Sequence, residues 1–351
     1  MIICCIRSIR VAIVLEKGSN QLNRKYEFFI CEYPLHPFYP RCHCIRTRIE
    51  LNKPFQSNEL MYYLIYIPLY VISLLPLRVL YLFGDMVYGI LYYIARYRKK
   101  VVIENLRIAF PEKTVEERTK IMKDFYHNFV DTFIETIKFI SWNKKSFEKR
   151  ILIDMKGIET AYACGKSINA VGMHNFNWEF VNWGLAMQVK YPFLGIYLPV
   201  GNKHFDRIIR NMRSRFGTIL LPATDFKNHY LKYDDTTHVM ASAADQSPGN
   251  LSSVYWVPFF GRPTAFVTGV EKGARVNNSA VVFAHFYKQK RGYYKLDTEF
   301  ITDNPLSLPE GELTKQYVQY CEKCIRKIPA NYLWSHRKWK HEYKAEYGKI
   351  L

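Results

Sequence analysis

The sequence predicts an α/β protein, with a mixed, largely parallel central sheet flanked by helices and an N-terminal membrane helix before it. Three observations carry this. Short apolar runs of strand length alternate with helix-period segments beyond residue 150, the pattern of parallel strands joined by crossover helices. Two polar clusters each follow such a run, as they do where ligand chemistry collects at the carboxyl ends of strands. Ahead of them, Leu60 to Leu77 carries no charge, and Val79 to Ala95 carries only Asp85.

In chain order, residues 1–60 mix cysteine, proline and scattered charge without periodicity and are expected to form a poorly structured extension. Five of the eight cysteines, Cys4, Cys5, Cys31, Cys42 and Cys44, fall in it, and Met61 stands directly before the apolar run, so a mis-assigned start is one expectation and a genuine extension the other. Arg7 and Arg10 interrupt the apolar run at the N-terminus, and no small-residue cleavage site follows, so a signal peptide fits poorly. Residues 61–96 are expected to form a membrane-anchoring helical region, which Pro68 and Pro76 would kink. Arg96, Arg98, Lys99 and Lys100 follow it, which marks the cytoplasmic side. Two buried helices would be equally apolar; apolar length together with the basic flank favours the membrane.

The main domain takes residues 97–351. Ile121, Phe125, Phe129, Phe133, Ile137 and Ile140 recur at helical spacing and are expected to face a core. Strands are expected at 168–173, 193–197, 219–221, 238–243, 280–287 and 293–301, and helices at 178–189, 203–215, 264–276 and 313–327. Cys321 and Cys324 have the spacing of half a zinc site. They share an apolar helical stripe with Tyr317, Ile325 and Ile328, and no second ligand pair accompanies them, so no metal is expected.

The chemistry centres on Val171–Glu179. His174 ends an apolar run, and a helix starts near Asn177 or Trp178, which puts Glu179 in its first turn. On one continuous helix, residues five apart point about 140° apart. The two meet only if His174 lies in the turn. There, a histidine serves as a base near neutral pH and a carboxylate orients its ring; a helix start whose histidine is satisfied by a backbone group is the plainer alternative. Asp245 and Gln246 form the second strand-end cluster. Between the two clusters, Arg210, Arg213 and Arg215 form a basic stretch whose default is a solvated helix face. Tyr332–Lys340 interleaves aromatic and cationic groups and suits phosphates or a membrane surface.

The formal net charge of +19 favours anionic partners, and 27 tyrosines with 6 tryptophans turn that preference toward a membrane interface. Nucleic acid fits poorly: there is no zinc-finger spacing, basic zipper, RNA-recognition signature or Gly-rich phosphate loop.

These residues carry a pattern. From about Met61 to Lys340 the chain resembles the lauroyl/myristoyl acyltransferases that complete bacterial lipid A, within the lysophospholipid acyltransferase superfamily. Tyr97–Glu112, His174 with Asn177, Trp178 and Glu179, Tyr197–Pro199, Arg213–Gly217, Asp245–Gln246 with Phe259–Gly261, and Trp334–Trp339 match in order. The resemblance implies a glycerol-phosphate-acyltransferase-like fold. It implies acyl transfer from acyl carrier protein to a hydroxyl of an anionic glycolipid acceptor, a lipid A precursor, on the cytoplasmic face of the bacterial inner membrane. His174 would be the base and Glu179 would hold its ring; Asn177, Arg213, Arg215, Asp245 and Gln246 would support the site or bind substrate. No cofactor is implied, since the carrier thioester is a substrate. A lysophospholipid or aminolipid acceptor is the alternative, and an inactive membrane-binding scaffold is another. The latter rests on Phe176, which stands where the family has glycine, in a turn that would suit φ > 0.

Overall fold

The computed structural model describes residues 57–347 and 349–351, together with the backbone of four strands before them. The chain divides into two units, residues 1–66 and 67–351. In the first, β1 (Ile3–Ile6), β2 (Ile9–Leu15), β3 (Tyr26–Glu32) and β4 (Cys44–Ile49) pair antiparallel in sequence order. Apart from those strands, the expectation about residues 1–60 falls on residues 1–56, outside the described residues. Helix α1 (Ser57–Leu74) follows and runs on into the second unit.

Pro76 starts α2 (Leu77–Gly89), which continues as a π-helical turn over Ile90–Ile94. The stretch Leu77–Ile94 is long and apolar enough to cross a membrane. Its outer side chains Leu82, Phe83, Met86, Ile90 and Ile94 are exposed, while Leu80, Tyr88 and Tyr92 are buried. Then come α3 (Lys99–Ala109) and the long α4 (Val115–Phe139). A reciprocal capping box starts α4: the Thr114 hydroxyl accepts from the Glu117 N–H at 3.2 Å, and the Glu117 carboxylate accepts from the Thr114 N–H at 2.7 Å. Its core stripe differs from the expected one. Met122, Phe125, Tyr126 and Val130 are buried, but Phe133 is 57% exposed. A strict four-residue repeat drifts about 40° per step on a 3.6-residue helix, and Phe133 has rotated out.

The α/β part comprises α5 (Lys144–Glu148), β5 (Ile151–Ile153), α6 (Lys156–Tyr162), β6 (Ile168–Gly172), α7 (Trp178–Ala186), β7 (Phe193–Tyr197), α8 (Lys203–Arg213), β8 (Ile219–Pro222), α9 (Phe226–Tyr230), β9 (Val239–Ala243), β10 (Val254–Phe259), β11 (Arg262–Val267), α10 (Gly269–Val276), β12 (Ala280–Lys290), β13 (Tyr293–Thr302) and α11 (Glu312–Lys327). The seven-stranded sheet has the order β5-β13-β12-β6-β9-β7-β8. Every neighbouring pair is parallel except β12 with β13. The largely parallel sheet is thus as expected, and strand β5 joins its edge as an addition. The expected helix over 264–276 is shorter. Residues 264–267 belong to the β10–β11 hairpin, whose turn holds Phe260 at φ 51° and Gly261 at φ 74°. Such turns match the twist of the strands they join.

Alternate side chains of the central strands feed two cores. Val171, Val281 and Phe283 pack on one face with Phe125, Tyr317 and Val318; Ile168, Ala170, Val282 and Ala284 pack on the other with Phe139, Phe180 and Trp183. Helix α4 also carries two buried carboxylates that hold the site's surroundings. Asp131 takes Lys288 at 2.6 Å and Arg291 at 2.7 Å. Glu135 accepts from the Tyr81 hydroxyl at 2.5 Å, the Tyr294 hydroxyl at 2.6 Å and the Asn177 amide. Burial pushes the Glu135 carboxyl up from the usual range.

Candidate active site

Strands β6 and β9 are parallel neighbours in which Gly172 stands opposite Ala243. Two residues further on, at the carboxyl edge of both, stand His174 and Asp245. The register therefore brings the two expected strand-end clusters together. The Asp245 Oδ1 lies 2.7 Å from the His174 Nδ1 and also accepts the His174 backbone N–H at 2.9 Å. Asp245 is buried, and the imidazole is 30% exposed. A carboxylate facing Nδ1 sets the tautomer, with the proton on Nδ1 and a lone pair on Nε2. Among the described residues Nε2 has no hydrogen-bond partner. Burial disfavours the charged ring, but the charge and hydrogen bond of Asp245 outweigh it and raise the His174 pKa. Burial would raise Asp245, and the imidazole, Lys338 and the His174 backbone N–H together hold it below its ordinary value.

Glu179 does not hold the His174 ring. It lies in the first turn of α7 and is taken by Arg213, whose Nε stands 3.0 and 3.1 Å from the two carboxylate oxygens and whose Nη2 stands 2.6 Å from one of them. The reason is direction: Asp245 leaves the neighbouring strand alongside His174, whereas α7 turns Glu179 toward the end of α8. Two further bonds clamp that junction, from the Asn182 amide to the Arg213 carbonyl and from the Trp183 indole to the Met212 carbonyl, both at 2.8 Å. Burial works against the Arg213 charge, yet Glu179 raises its pKa. Of the two competing arginines, Arg215 goes elsewhere. It donates to the carbonyls of Trp142 at 3.2 Å and Ile140 at 3.4 Å.

The turn between them is well built. Asn175 donates to the Phe286 carbonyl at 2.6 Å, and the Phe176 N–H donates to the Asn331 carbonyl at 3.1 Å. The expected difficulty at Phe176 does not arise. The left-handed residue is Asn177, at φ 63°, a type that tolerates that region; Phe176 is absent from the positive-φ positions and packs against Phe125 and Phe129. Asn177 is buried and donates to Glu135, so it supports the turn from below. Gln246 is half-buried beside Asp245 and makes no hydrogen bond among the described residues.

The aromatic-basic stretch near the C-terminus lies largely inside the protein, with Arg337 and Lys340 exposed. Tyr332, Trp334, Ser335 and Lys338 are buried, and Asn105 of α3 donates to the carbonyls of Trp334 and His336, each at 2.7 Å. Aromatic packing has claimed side chains that composition alone would put on a surface. His336 accepts the Ser247 N–H at 2.8 Å, and burial and Lys338 push its pKa down to about 4, so it stays neutral. The Lys338 amine lies 3.5 Å from the centre of the Phe266 ring with no hydrogen-bond partner among the described residues. Burial pushes it down to about 7, against the pull of Asp245 and Cys321. The Tyr317 hydroxyl donates to the Gly172 carbonyl at 2.6 Å and accepts the Ala244 N–H at 3.3 Å, which pins both strand ends. The sequence put Tyr317 in a core stripe and Lys338 in the aromatic-basic stretch and gave neither a place at the site; the equal offset of His174 and Asp245 from their strand ends was its one available signal for their pairing. Cys321 and Cys324 are buried in the core with Tyr317.

The family model described as bacterial lipid A biosynthesis acyltransferase matches residues 53–341. The chain is 28% identical over 305 residues to a lipid A biosynthesis lauroyltransferase of Escherichia coli strain K12, which covers 82% of this chain and 96% of that one. It is 24% identical over 276 residues to a lipid A biosynthesis palmitoleoyltransferase of the same strain, covering 76% and 86%. A lipid A biosynthesis acyltransferase of Haemophilus influenzae is 24% identical over 250 residues, covering 69% and 78%. The chain belongs to the bacterial lipid A biosynthesis acyltransferase family.

Proposed function

We propose that this family member moves a fatty acyl chain from an acyl carrier protein thioester to a hydroxyl of a lipid A precursor. It would act at the cytoplasmic face of the bacterial inner membrane. The observation that carries the reading is the His174–Asp245 pair, with Nδ1 committed to a buried carboxylate and Nε2 left for substrate. In the reaction Nε2 takes the proton of the acceptor hydroxyl as its oxygen attacks the thioester carbonyl. Asp245 balances the imidazolium as it forms. The tetrahedral intermediate collapses, the C–S bond breaks, and the proton on Nε2 passes to the departing thiolate. A positioned base of this kind contributes about 10²–10⁴-fold. No enzyme nucleophile, metal or organic cofactor is needed, because the thioester arrives activated.

Glu179 takes a different part from the one expected. Locked to Arg213, it fixes the start of α7 and so the turn that presents His174. The partners on this reading are the acidic carrier protein, an anionic glycolipid acceptor and the membrane, and the +19 charge suits all three. The test incubates the protein with membranes and labelled acyl carrier protein. Label is expected in lipid, more of it when purified lipid A precursor is added, and about 10²–10⁴-fold less with His174→Ala. Transfer to a lysophospholipid or aminolipid in preference would change the acceptor. Undiminished transfer by a folded His174→Ala protein would end the mechanism.

A further inference from the structure

We propose that the cavity beside the α1–α2 junction binds the phosphate of an anionic lipid headgroup. The cavity holds about 360 Å³ and is lined by the start of α2, Lys138 of α4, residues 141–143, Ser146, Lys149 and Arg150, with Tyr293 of β13. Three cations line it, Lys138, Lys149 and Arg150, and its lining contains no carboxylate. Lys138 donates to the carbonyls of Ser73 at 2.7 Å and Leu75 at 3.0 Å. Arg150 lies over the rings of Tyr293 at 4.8 Å and Trp142 at 5.5 Å and donates to the Gly292 carbonyl. Among the described residues none of the three is paired with a carboxylate.

Like charges gathered in one half-enclosed space repel, and an anion set among them relieves that repulsion. Burial and the nearby Arg150 charge both lower the Lys138 pKa, as expected where a counter-charge is missing. The first turn of α2 faces the same space and adds the partial positive charge of a helix start. Phosphate is the anion that such a set of donors suits, and Ser146 adds a hydroxyl to it, whereas the Ser141 hydroxyl is committed to the Ser73 carbonyl at 2.7 Å.

The lipid source follows from position. Leu77 lines the cavity and begins α2, which packs on α4, with Tyr88 stacked on His127, and with its π-helical continuation turns Leu82, Met86 and Ile90 outward along the surface of the domain. A basic pocket where apolar surface gives way to polar is placed at headgroup depth. The inference concerns binding and stands independently of the acyl-transfer reading.

The test floats the full-length protein with phosphatidylcholine vesicles and with vesicles that also contain phosphatidylglycerol. Lys149 is exposed, so Lys149→Glu keeps the fold. It should weaken binding to the anionic vesicles by about fivefold or more and leave the zwitterionic ones unaffected. Arg150→Gln should act likewise and Arg150→Lys should retain binding. Lys272→Glu makes the same charge change on α10, outside the cavity, and should have less than about half that effect on a logarithmic scale. Equal losses from Lys149→Glu and Lys272→Glu, or equal losses on both vesicle types, would overturn the proposal. A second arm adds inorganic phosphate and follows the thermal midpoint. If phosphate stabilises the parent protein but not Lys149→Glu, while vesicle binding is the same for both, the cavity takes free anion and the lipid assignment fails.

Discussion

The loop after β6 and the first turn of α7 each hold an ionisable group against an opposite charge, and the two pairs are built for different ends. In His174–Asp245 one ring nitrogen is committed and the other is open, with the imidazole 30% exposed. In Arg213–Glu179 the guanidinium uses two nitrogens on a carboxylate that is only 3% exposed, and nothing of the acid is left over. The first pair leaves an imidazole nitrogen free to take up a proton. In the second the cation is an arginine, which keeps its charge. Four residues separate His174 from Glu179, and the distinction between a reactive pair and a supporting one lies wholly in what each side chain leaves free.

The sharpest way to break this comparison is His174→Ala. It should cut acyl transfer by about 10²–10⁴-fold, with little change in thermal midpoint. If the midpoint falls and the rate per folded molecule does not, the pair is structural. Glu179→Gln should do the reverse. Removing one member of a buried pair leaves the other charge uncompensated and costs about 3–5 kcal/mol, read by denaturant unfolding. The loss of rate should then follow the loss of folded protein, and a large rate defect in fully folded Glu179→Gln would give that residue a part in the chemistry.

Lys338 tests what an unpaired buried charge does beside the reactive pair. Its folded pKa of about 7 is far below that of a lysine in the unfolded chain. Between those two values the unfolded state binds more protons, so this group makes stability rise with pH. Lys338→Met should flatten that rise and stabilise the protein at pH 7 by about 1–3 kcal/mol, with the gain shrinking toward pH 9. An unchanged slope would mean that the amine has found a partner. The smallest expected effect is a shift of midpoint. His174 is held above its ordinary range by Asp245, so its base form, and the rate, should appear only as pH rises through that raised value. In Asp245→Asn the burial that opposes the charge is left unopposed. The ring's titration, followed by NMR, should move to lower pH, and a midpoint that stays in place would remove Asp245 from its assigned part.

Much of the fold was legible because burial on both sheet faces leaves strong local marks. The runs at 168–173, 193–197 and 238–243 are mostly apolar on both faces, and each lies within one residue of an observed strand. Strand β5 was not legible: its three residues are too few to show a period. The hairpin of β10 and β11 was hidden because Phe260 takes a left-handed conformation that its identity does not announce. Asp245, His174 and Glu179 could each be singled out from the residues on either side of them.

The sequence by itself determined which residues stand at strand ends and helix starts, because hydrophobic period and turn chemistry are properties of neighbours along the chain. Partnership was decided only by the tertiary structure. The parallel register of β6 and β9 sets Asp245 beside His174 across 71 positions, and the packing of α7 on α8 gives Glu179 to Arg213. The same is true of Lys338, whose composition suggests a surface and whose neighbours bury it. A carboxylate binds the cation it reaches first in space, and that distance is fixed by sheet order and helix packing, to which spacing along the chain gives no guide.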